Sequence, residues 1–517
     1  MLPLVLAVGL GIGASSDPLA SSKDWDEARA AHLLRRAGFG GTPEQAAFLA
    51  GLGRKEAVAY LVDFDRIEEA LPPLRIAPYA PPDRGRLRDL NPEERRKVVA
   101  RRRMIDRLQF ERIVDWWLET MVSSPRPLQE KLVLFWHGHF TSGYREVRSS
   151  HAMYRQNALF RRRAAGNFRD LLLDITEDPA MVLYLNTQQN RRTHPNENYA
   201  RELMELFTLG PGHYTEQDIK EAARAFTGIA VDAKLGKTVY RTRQHDFGEK
   251  VFLGQRGDFE PADIIDIILA QGAAAEFVAK KFWSFFAYSD PEPEIVQALA
   301  RILREHDYEL KPMLTAMFMS DAFYGKRARF THIKSPVELV VGLLRELEIP
   351  ARDTSALNAG LRQMGQQLMQ PPNVKGWDGG PAWITTSTLF DRYNMLGAVL
   401  AGNDNAKSRR QREKRRARLL EALGEDARRE VDGLPPLQPA YDPMPAVRAA
   451  GLKTPAQLVD FYVRRLLQRS IPPERRRTLI DAVKRHINTR NIGTSANADG
   501  IRGLIHLIVS MPEYQLS

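Results

Sequence analysis

The densest group of side chains that could do chemistry lies in residues 194–207, HPNENYARELMELF. Pro195 is typical of the first turn of a helix, and a helix advances by about 100° per residue. This spacing predicts one polar face with an amide, a guanidinium and two carboxylates: Asn198, Arg201, Glu202 and Glu205. His194 lies just before that face. The simpler interpretation is a solvated helix, with ion pairs from Arg201 to Glu197 and Glu205 at i,i+4 spacing.

A second group is the histidine pair in residues 135–140, FWHGHF. Side chains at i,i+2 point apart on a helix and to the same side of an extended segment. Gly138 is predicted to end the preceding helix, which would leave His137 at the helix C-terminus and His139 in the loop. Histidine is the most common protein ligand of metal ions. The alternative is that His137 interacts with the helix dipole and His139 packs like an aromatic residue.

Together, the two groups predict a divalent metal site. Imidazole and carboxylate ligands in an open site suit Zn, Mn or Fe. The candidate ligands are His137, His139, Glu202, Glu205 and His194. The metal would lower the pKa of a bound water and polarise the bond to be cleaved, while Asn198 and Arg201 would hold an anionic group of the substrate.

Two loops carry further candidates. His245 and Asp246, in residues 244–248 (QHDFG), could supply a general base, although the same residues suit a turn in which the aspartate bonds to the backbone. Residues 371–383 (PPNVKGWDGGPAW) carry Trp377 and Trp383. These rings could stack on a sugar or another planar ligand, or could simply fill gaps between helices.

The composition excludes several classes of protein. The 517 residues contain no cysteine, so disulfides, thiolate nucleophiles, iron–sulfur clusters and haem attachment are excluded. No glycine-rich phosphate loop is present, so no nucleotide site is predicted. Lys and Arg number 75 against 64 Asp and Glu, a net charge of +11. A basic surface of this kind is expected to dock on an anionic polymer or an acidic partner.

The elements that must position these residues are predicted to be helices. Apolar residues recur at helical spacing, and residues 42–45 and 91–94 each form a capping box with proline at the first helical position. Strand signals are confined to residues 237–241 (KTVYR) and 250–253 (KVFL), which predict one small hairpin. The predicted class is therefore all-α, a large multi-helical domain with at most one small β-hairpin insertion and a smaller C-terminal helical group.

The predicted boundaries follow shifts in composition. They are a signal segment at 1–20, a main helical domain at 24–401, a basic and proline-rich excursion with a linker at 402–442, and a C-terminal helical group at 443–517 that packs on the main domain. Residues 1–14 (MLPLVLAVGLGIGA) resemble the apolar part of a secretory signal without its basic start, and are too short to span a bilayer. They predict export to the periplasm or beyond. The alternative is a cytoplasmic protein with a buried N-terminal segment.

The excursion contains a basic run at residues 407–418, KSRRQREKRRAR. Such a run could bind nucleic acid. No nucleic-acid-binding fold accompanies it, and an isolated basic run is more often a solvated helix. Nucleic acid is therefore not the expected partner.

Eight ordered motifs resemble a bacterial family catalogued as domain of unknown function 1800. The motifs are HLLRRAGFG (32–40), FWHGHF (135–140), NENYARELMELF (196–207), EAARAFTG (221–228), HDFG (245–248), KSPVE (334–338), PNVKGW (372–377) and SMPEYQ (510–515). The resemblance implies a large, mostly helical and typically exported protein. It also implies a companion protein, often encoded alongside, that is similar to alkaline phosphatases and sulfatases. It implies no reaction, and the short leader and the basic run depart from the family pattern.

Two functions stay open on these grounds. One is a metal-assisted hydrolase of an anionic polymer of the cell envelope or exterior. The other is a non-catalytic exported scaffold, or a partner-binding subunit that works with the companion protein. In the scaffold the polar groups would form a buried network that fixes helix packing.

Overall fold

The computed structural model describes residues 17–69, 71–76, 87–232, 236–352, 354–423, 428 and 436–517. Most of these residues are helical, so the predicted all-α class is confirmed. Residues 1–16 of the predicted signal segment lie outside the described residues. No helix within the described ranges is long and apolar enough to cross a membrane.

Eleven α-helices form the described part of the first half of the chain, and seven of them begin at a side-chain cap. They are α1 (Glu27–Arg36), α2 (Pro43–Leu52), α3 (Arg54–Val62), α4 (Pro92–Ser123), α5 (Pro127–His139), α6 (Tyr144–Val147), α7 (Ser150–Arg162), α8 (Phe168–Thr176), α9 (Pro179–Tyr184), α10 (Asn198–Glu202) and α11 (Glu216–Ala225). Both predicted capping boxes are confirmed. The Thr42 hydroxyl accepts from the Gln45 amide at 3.3 Å, and the Asn91 side chain accepts from the Glu94 amide at 2.9 Å.

Two short hairpins replace the single hairpin that the sequence predicts. Strand β1 (Ile229–Asp232) pairs antiparallel with β2 (Lys237–Tyr240), and β3 (Lys250–Phe252) pairs with β4 (Gln255–Gly257). The two segments with strand signals therefore do not pair with each other. Each pairs with its neighbour in sequence, and a short turn at Leu253–Gly254, where both φ angles are positive, closes the pair of β3 and β4.

One hydrophobic cluster continues from α1 through the second half of the chain. The later helices are α12 (Pro261–Leu269), α13 (Gly272–Phe286), α14 (Pro293–Glu305), α15 (Leu310–Met319), α16 (Pro336–Glu346), α17 (Thr354–Gln363), α18 (Thr386–Ala401), α19 (Ala406–Leu423), α20 (Met444–Ala449), α21 (Pro455–Leu466), α22 (Pro473–His486) and α23 (Ala498–Val509). Helix α23 packs on α18, and α21 packs on α16. The C-terminal helices thus share the core of the preceding ones, and the predicted division into domains stays a prediction.

Charged side chains from distant segments meet inside this core. The Glu338 carboxylate, in the first turn of α16, accepts a hydrogen bond from the Lys131 ammonium of α5 and lies 3.2 Å from Nε2 of His332. Arg36 Nη1 of α1 lies 3.9 Å from the same carboxylate, and both Arg36 and Lys131 are fully buried. We call Arg36, Lys131, His332 and Glu338 the core ion network. It joins two of the motifs that carry the family resemblance, residues 32–40 and 334–338.

The basic run forms α19, which packs on the long helix α4. Leu419 and Leu423 of α19 form a small hydrophobic cluster with Leu108 of α4, separate from the main core. Arg415 pairs with Glu111 of α4 at 2.7 Å. Although most of its arginines are exposed, α19 is held against α4 and forms one wall of a cleft.

Candidate functional site

The polar face predicted for residues 198–205 lies where the helix changes type. Helix α10 continues directly into a π-helix at Leu203–Thr208, in which the Leu209 amide donates to the Met204 carbonyl at 2.9 Å. The wider turn re-aims the side chains that follow it, and such segments are frequent at functional sites. The helical spacing predicts that Tyr199, Leu203, Leu206 and Phe207 face the core. Tyr199, Leu203 and Phe207 are buried there, and Leu206 is half-buried against it.

Arg201 is held by carboxylates on two elements. It donates twice to Glu216 at the start of α11, both at 2.8 Å, and once to Glu197 at 3.0 Å. The predicted Glu197–Arg201 pair is confirmed. The other predicted partner, Glu205, is replaced by Glu216, because helix α11 packs beside α10 and brings its first turn to the guanidinium. Arg201 thus fixes the packing of two helices.

Glu202 and Glu205 share a partly buried patch with two tyrosines. Burial and the neighbouring Glu205 charge raise the pKa of Glu202, against the opposing charges of Arg201 and Lys375. The Tyr214 hydroxyl donates to Glu205 at 3.5 Å. Burial, Glu146 and Glu202 raise the pKa of Tyr184 to about 12. We call Tyr184, Glu202, Glu205 and Tyr214 the carboxylate patch.

The two histidines of residues 135–140 do not lie together. Helix α5 continues through Gly138 to His139, so the prediction that Gly138 ends the helix is wrong, and the two imidazoles point apart. His137 packs edge-on against Trp117, with 5.5 Å between ring centres. His139 donates from Nε2 to the Phe207 carbonyl at 3.0 Å. Apolar neighbours bury both imidazole rings, so neither histidine lies in an exposed loop, and the helix continues past Gly138.

Burial alone lowers the pKa of His137 to about 3, and burial with the Lys281 charge lowers that of His139 to about 3. No described carboxylate contributes to the pKa of either imidazole. His194 is exposed, and its backbone closes a turn with Arg191. Within the described ranges, no three His, Asp or Glu side chains converge as metal ligands do. Metal binding by these residues stays a prediction.

The remaining predicted residues have structural partners. The Asn198 side chain donates to the Leu185 carbonyl at 3.5 Å. His245 is buried and donates from Nδ1 to the Thr227 carbonyl at 2.8 Å. Asp246 pairs with Arg224 at 2.8 Å, which lowers the pKa of the carboxyl, and it accepts from the Gly248 amide. The side chains of His245 and Asp246 therefore make separate contacts, as in the turn interpretation.

The loop at 371–383 packs on the end of α5. A Cβ on Gly376 would lie 2.2 Å from the Gly138 carbonyl oxygen, and the φ of Gly376 is +85°, so only glycine fits there. The Trp377 ring lies against Gly138 and 5.9 Å from His137, between ring centres. Trp383 is buried. These contacts favour the gap-filling role for both tryptophans.

A cleft of about 820 Å³ opens between α4, α17 and α19, and sequence reasoning missed it. Six arginines and two carboxylates line it: Arg107, Arg112, Arg145, Arg362, Arg412, Arg415, Glu111 and Asp115. The cationic side chains therefore exceed the anionic ones by four. Tyr144 forms part of the wall, with its ring stacked on Phe110 at 3.8 Å. The basic composition of α19 was the only signal in the sequence.

The two carboxylates of the cleft already have partners. Glu111 pairs with Arg415 at 2.7 Å and with Arg107 at 3.4 Å. Asp115 accepts from Asn358 at 3.1 Å and from the Thr354 hydroxyl. A ligand in this cleft would therefore meet a positive surface whose acidic groups are hydrogen-bonded within the protein.

Two arginines of the cleft remain available. Arg145 and Arg362 are exposed, and neither guanidinium makes a hydrogen bond or ion pair with another described residue. Gln370 connects the cleft at Arg145 to the carboxylate patch through Glu146. Its side chain accepts from the Arg145 amide at 2.9 Å and donates to Glu146 at 3.1 Å. Glu146 is the residue that, with Glu202, raises the pKa of Tyr184.

The fold and these sites define a large all-α protein with an arginine-lined cleft beside a partly buried pair of carboxylates. The model of the family described as "Protein of unknown function (DUF1800)" matches residues 32–516. The chain therefore belongs to the DUF1800 family, and the resemblance seen in its motifs is confirmed. No curated protein and no solved structure matches it.

Proposed function

We propose that this chain binds an anionic polymer in the arginine-lined cleft. The observation that carries the proposal is the excess of arginine over carboxylate in one cleft of about 820 Å³. Guanidinium groups bind carboxylate, sulfate and phosphate through paired hydrogen bonds. The net charge of +11 would add long-range attraction to a polyanion.

Amides and hydroxyls in the cleft suit a polymer that carries hydroxyl groups as well as charges. Gln367, Gln370 and Gln411 line the cleft, together with Ser355 and Ser408. Such groups hydrogen-bond to neutral parts of a polymer, whereas the arginines hold its charged groups. An acidic polysaccharide of the cell envelope or exterior has this combination.

A pair of double variants tests the proposal. Arg145→Ala with Arg362→Ala removes two charges from the cleft. Arg410→Ala with Arg477→Ala removes two exposed charges outside it. With heparin as the sulfated polysaccharide, we expect the cleft variant to lose at least about tenfold in affinity and its salt dependence to flatten by about two counterions. Equal losses in both double variants would show non-specific attraction and contradict the proposal.

A second candidate is that the same polymer is hydrolysed at the carboxylate patch. The raised pKa of Glu202 beside a second carboxylate favours it, because such pairs separate into an acid and a base. In this version Glu202 donates a proton to the leaving group and Glu205 activates a water, with or without the predicted metal. Glu202→Gln should then melt like the parent and lose the release of new reducing ends. A parent protein that releases none from a polymer it binds would leave the scaffold function.

The proposal includes two further points: the chain is exported, and it works with the companion protein. An envelope polymer is met outside the cytoplasm, which agrees with the expectation drawn from residues 1–14. N-terminal sequencing of the protein recovered from the native host would test cleavage near residue 20. Co-purification with a phosphatase-like or sulfatase-like protein would test the companion.

A further inference from the structure

Three arginines gather around one phenylalanine ring, away from the cleft and the carboxylate patch. The guanidinium carbons of Arg35, Arg469 and Arg329 lie 4.7, 4.5 and 5.8 Å from the centre of the Phe330 ring. Since a ring has two faces, at least two of the guanidinium groups lie on the same side. They come from α1, from the residues that follow α21, and from the loop before α16.

The central guanidinium is buried and only partly satisfied. Arg35 is 5% exposed, and Nη1 donates to the Gln468 side chain. No described residue accepts a hydrogen bond from its Nε or Nη2, nor from the buried Nε of Arg329. A buried charged donor without an acceptor is costly, so these three N–H-bearing atoms indicate a missing acceptor.

The described acids nearby do not supply that acceptor. Glu346 favours the charge on Arg35, and burial raises the pKa of Glu346 to about 7; one of its oxygens accepts from Tyr514 at 2.9 Å, and the other, Oε1, is buried and accepts from none of the three guanidinium groups. Burial and the charges of Arg329, Arg36 and Arg469 lower the pKa of Arg35 to about 9. Like charges that converge in this way are stable when an anion lies between them.

A small pocket lies beside Arg469, the exposed member of this cluster. It has a volume of about 360 Å³ and is lined by Arg469 and by Gln468, the partner of Arg35. Its two carboxylates are already paired, Glu27 with Arg464 at 2.9 Å and Asp460 with Arg476 at 2.7 Å. An anion that entered would therefore meet arginines without competing carboxylates.

We propose that Arg35, Arg329 and Arg469 form a binding site for a tetrahedral oxyanion, a phosphate or sulfate group. Arg35 would donate from Nε and Nη2, which point along one edge of the guanidinium and suit two oxygens of one anion. Arg329 would donate from Nε, and the exposed Arg469 would close the site towards solvent. The ligand is either the free ion or the same group on a small ester.

Titration calorimetry at constant ionic strength, with chloride as the background anion, tests the site in the full chain. We expect inorganic phosphate and sulfate to bind saturably at one site, and acetate not to. Glycerol phosphate is the ester probe, and tighter binding of glycerol phosphate than of phosphate would identify an ester as the ligand. Arg469→Ala should weaken phosphate binding at least about tenfold, while Arg477→Ala, an exposed arginine of α22, should not.

Thermal unfolding separates loss of binding from loss of fold. Because a ligand that binds the folded state raises the melting temperature, phosphate should raise that of the parent and of Arg477→Ala more than that of Arg469→Ala or Arg329→Ala. In chloride alone, Arg469→Ala should melt close to the parent. Absence of saturable binding to the parent, or equal phosphate effects in all four proteins, would overturn the proposal.

Discussion

The core ion network offers the sharpest test of what holds this fold together. Replacing Glu338 by Gln keeps the size of the side chain and leaves an oxygen that can still accept from the Ser335 amide, which now donates to Glu338 at 2.7 Å. The substitution removes the negative charge and places an NH2 donor where an oxygen now accepts from Lys131, so Lys131 also loses its hydrogen-bond acceptor. Lys131 and Arg36, both fully buried, then lose their shared counter-ion.

The expected loss follows from that burial. Removing one partner of a buried ion pair costs about 3–5 kcal/mol, because the remaining charge stays desolvated. A folded domain has about 5–15 kcal/mol in total, so Glu338→Gln should consume a large share of it. The matched control is Glu249→Gln, which breaks an exposed pair with Arg256 and should cost within about 1 kcal/mol.

Urea unfolding followed by circular dichroism measures both free energies of unfolding. Lys131→Met added to Glu338→Gln removes one stranded cation and should recover part of the loss, with a coupling of about 0.5–3 kcal/mol. The network also sets a pH dependence. Lys131 and His332 hold the pKa of Glu338 well below its usual range although burial opposes them, so this stabilisation is present above about pH 4.5 and is lost on acidification. A Glu338→Gln loss no larger than that of Glu249→Gln would refute the reasoning.

Three further predictions concern single residues. Because the pKa of His137 falls from about 6.5 when unfolded to about 3 in the fold, stability should decrease as the pH falls below 6.5, by roughly 1.4 kcal/mol per unit. His137→Phe should reduce the slope in urea titrations between pH 6 and 4 by that one increment, because His139, whose pKa is lowered in the same way, keeps its own contribution; His194→Gln, at an exposed site, should leave the slope unchanged. Gly376→Ala should lower the free energy of unfolding by at least about 2 kcal/mol, since its Cβ would meet the Gly138 carbonyl. The control is Gly503→Ala, in a helix with open space at the Cβ, which should instead raise the free energy of unfolding by up to about 1 kcal/mol. Equal effects of the two substitutions would show that the loop does not depend on the contact with Gly138. Asn91→Ala should cost about 1 kcal/mol in thermal melts through loss of the α4 cap, and an unchanged melting temperature would mean that α4 frays there without consequence.

The sequence by itself determined the helical class, the family and most helix starts. These depend on local information: capping boxes such as those at Thr42 and Asn91, and apolar residues repeated at helical spacing. The same periodicity correctly separated Tyr199 and Phe207 from the polar side chains of residues 198–205. It could not show that this segment turns into a π-helix, or that α5 continues past Gly138, because both depend on which neighbours pack against the backbone.

Only the tertiary structure decided how the charged side chains are used. Glu338 meets Lys131 across 207 positions, and Arg415 meets Glu111 across 304. Spacing along the chain carries no record of such pairs, so the charges of residues 32–40 and 334–338 could not be distinguished from a functional surface. The cleft and the three arginines around Phe330 arise in the same way. Each is a sum of charges from helices far apart in sequence, and its electrostatic field exists only once packing has brought those helices together.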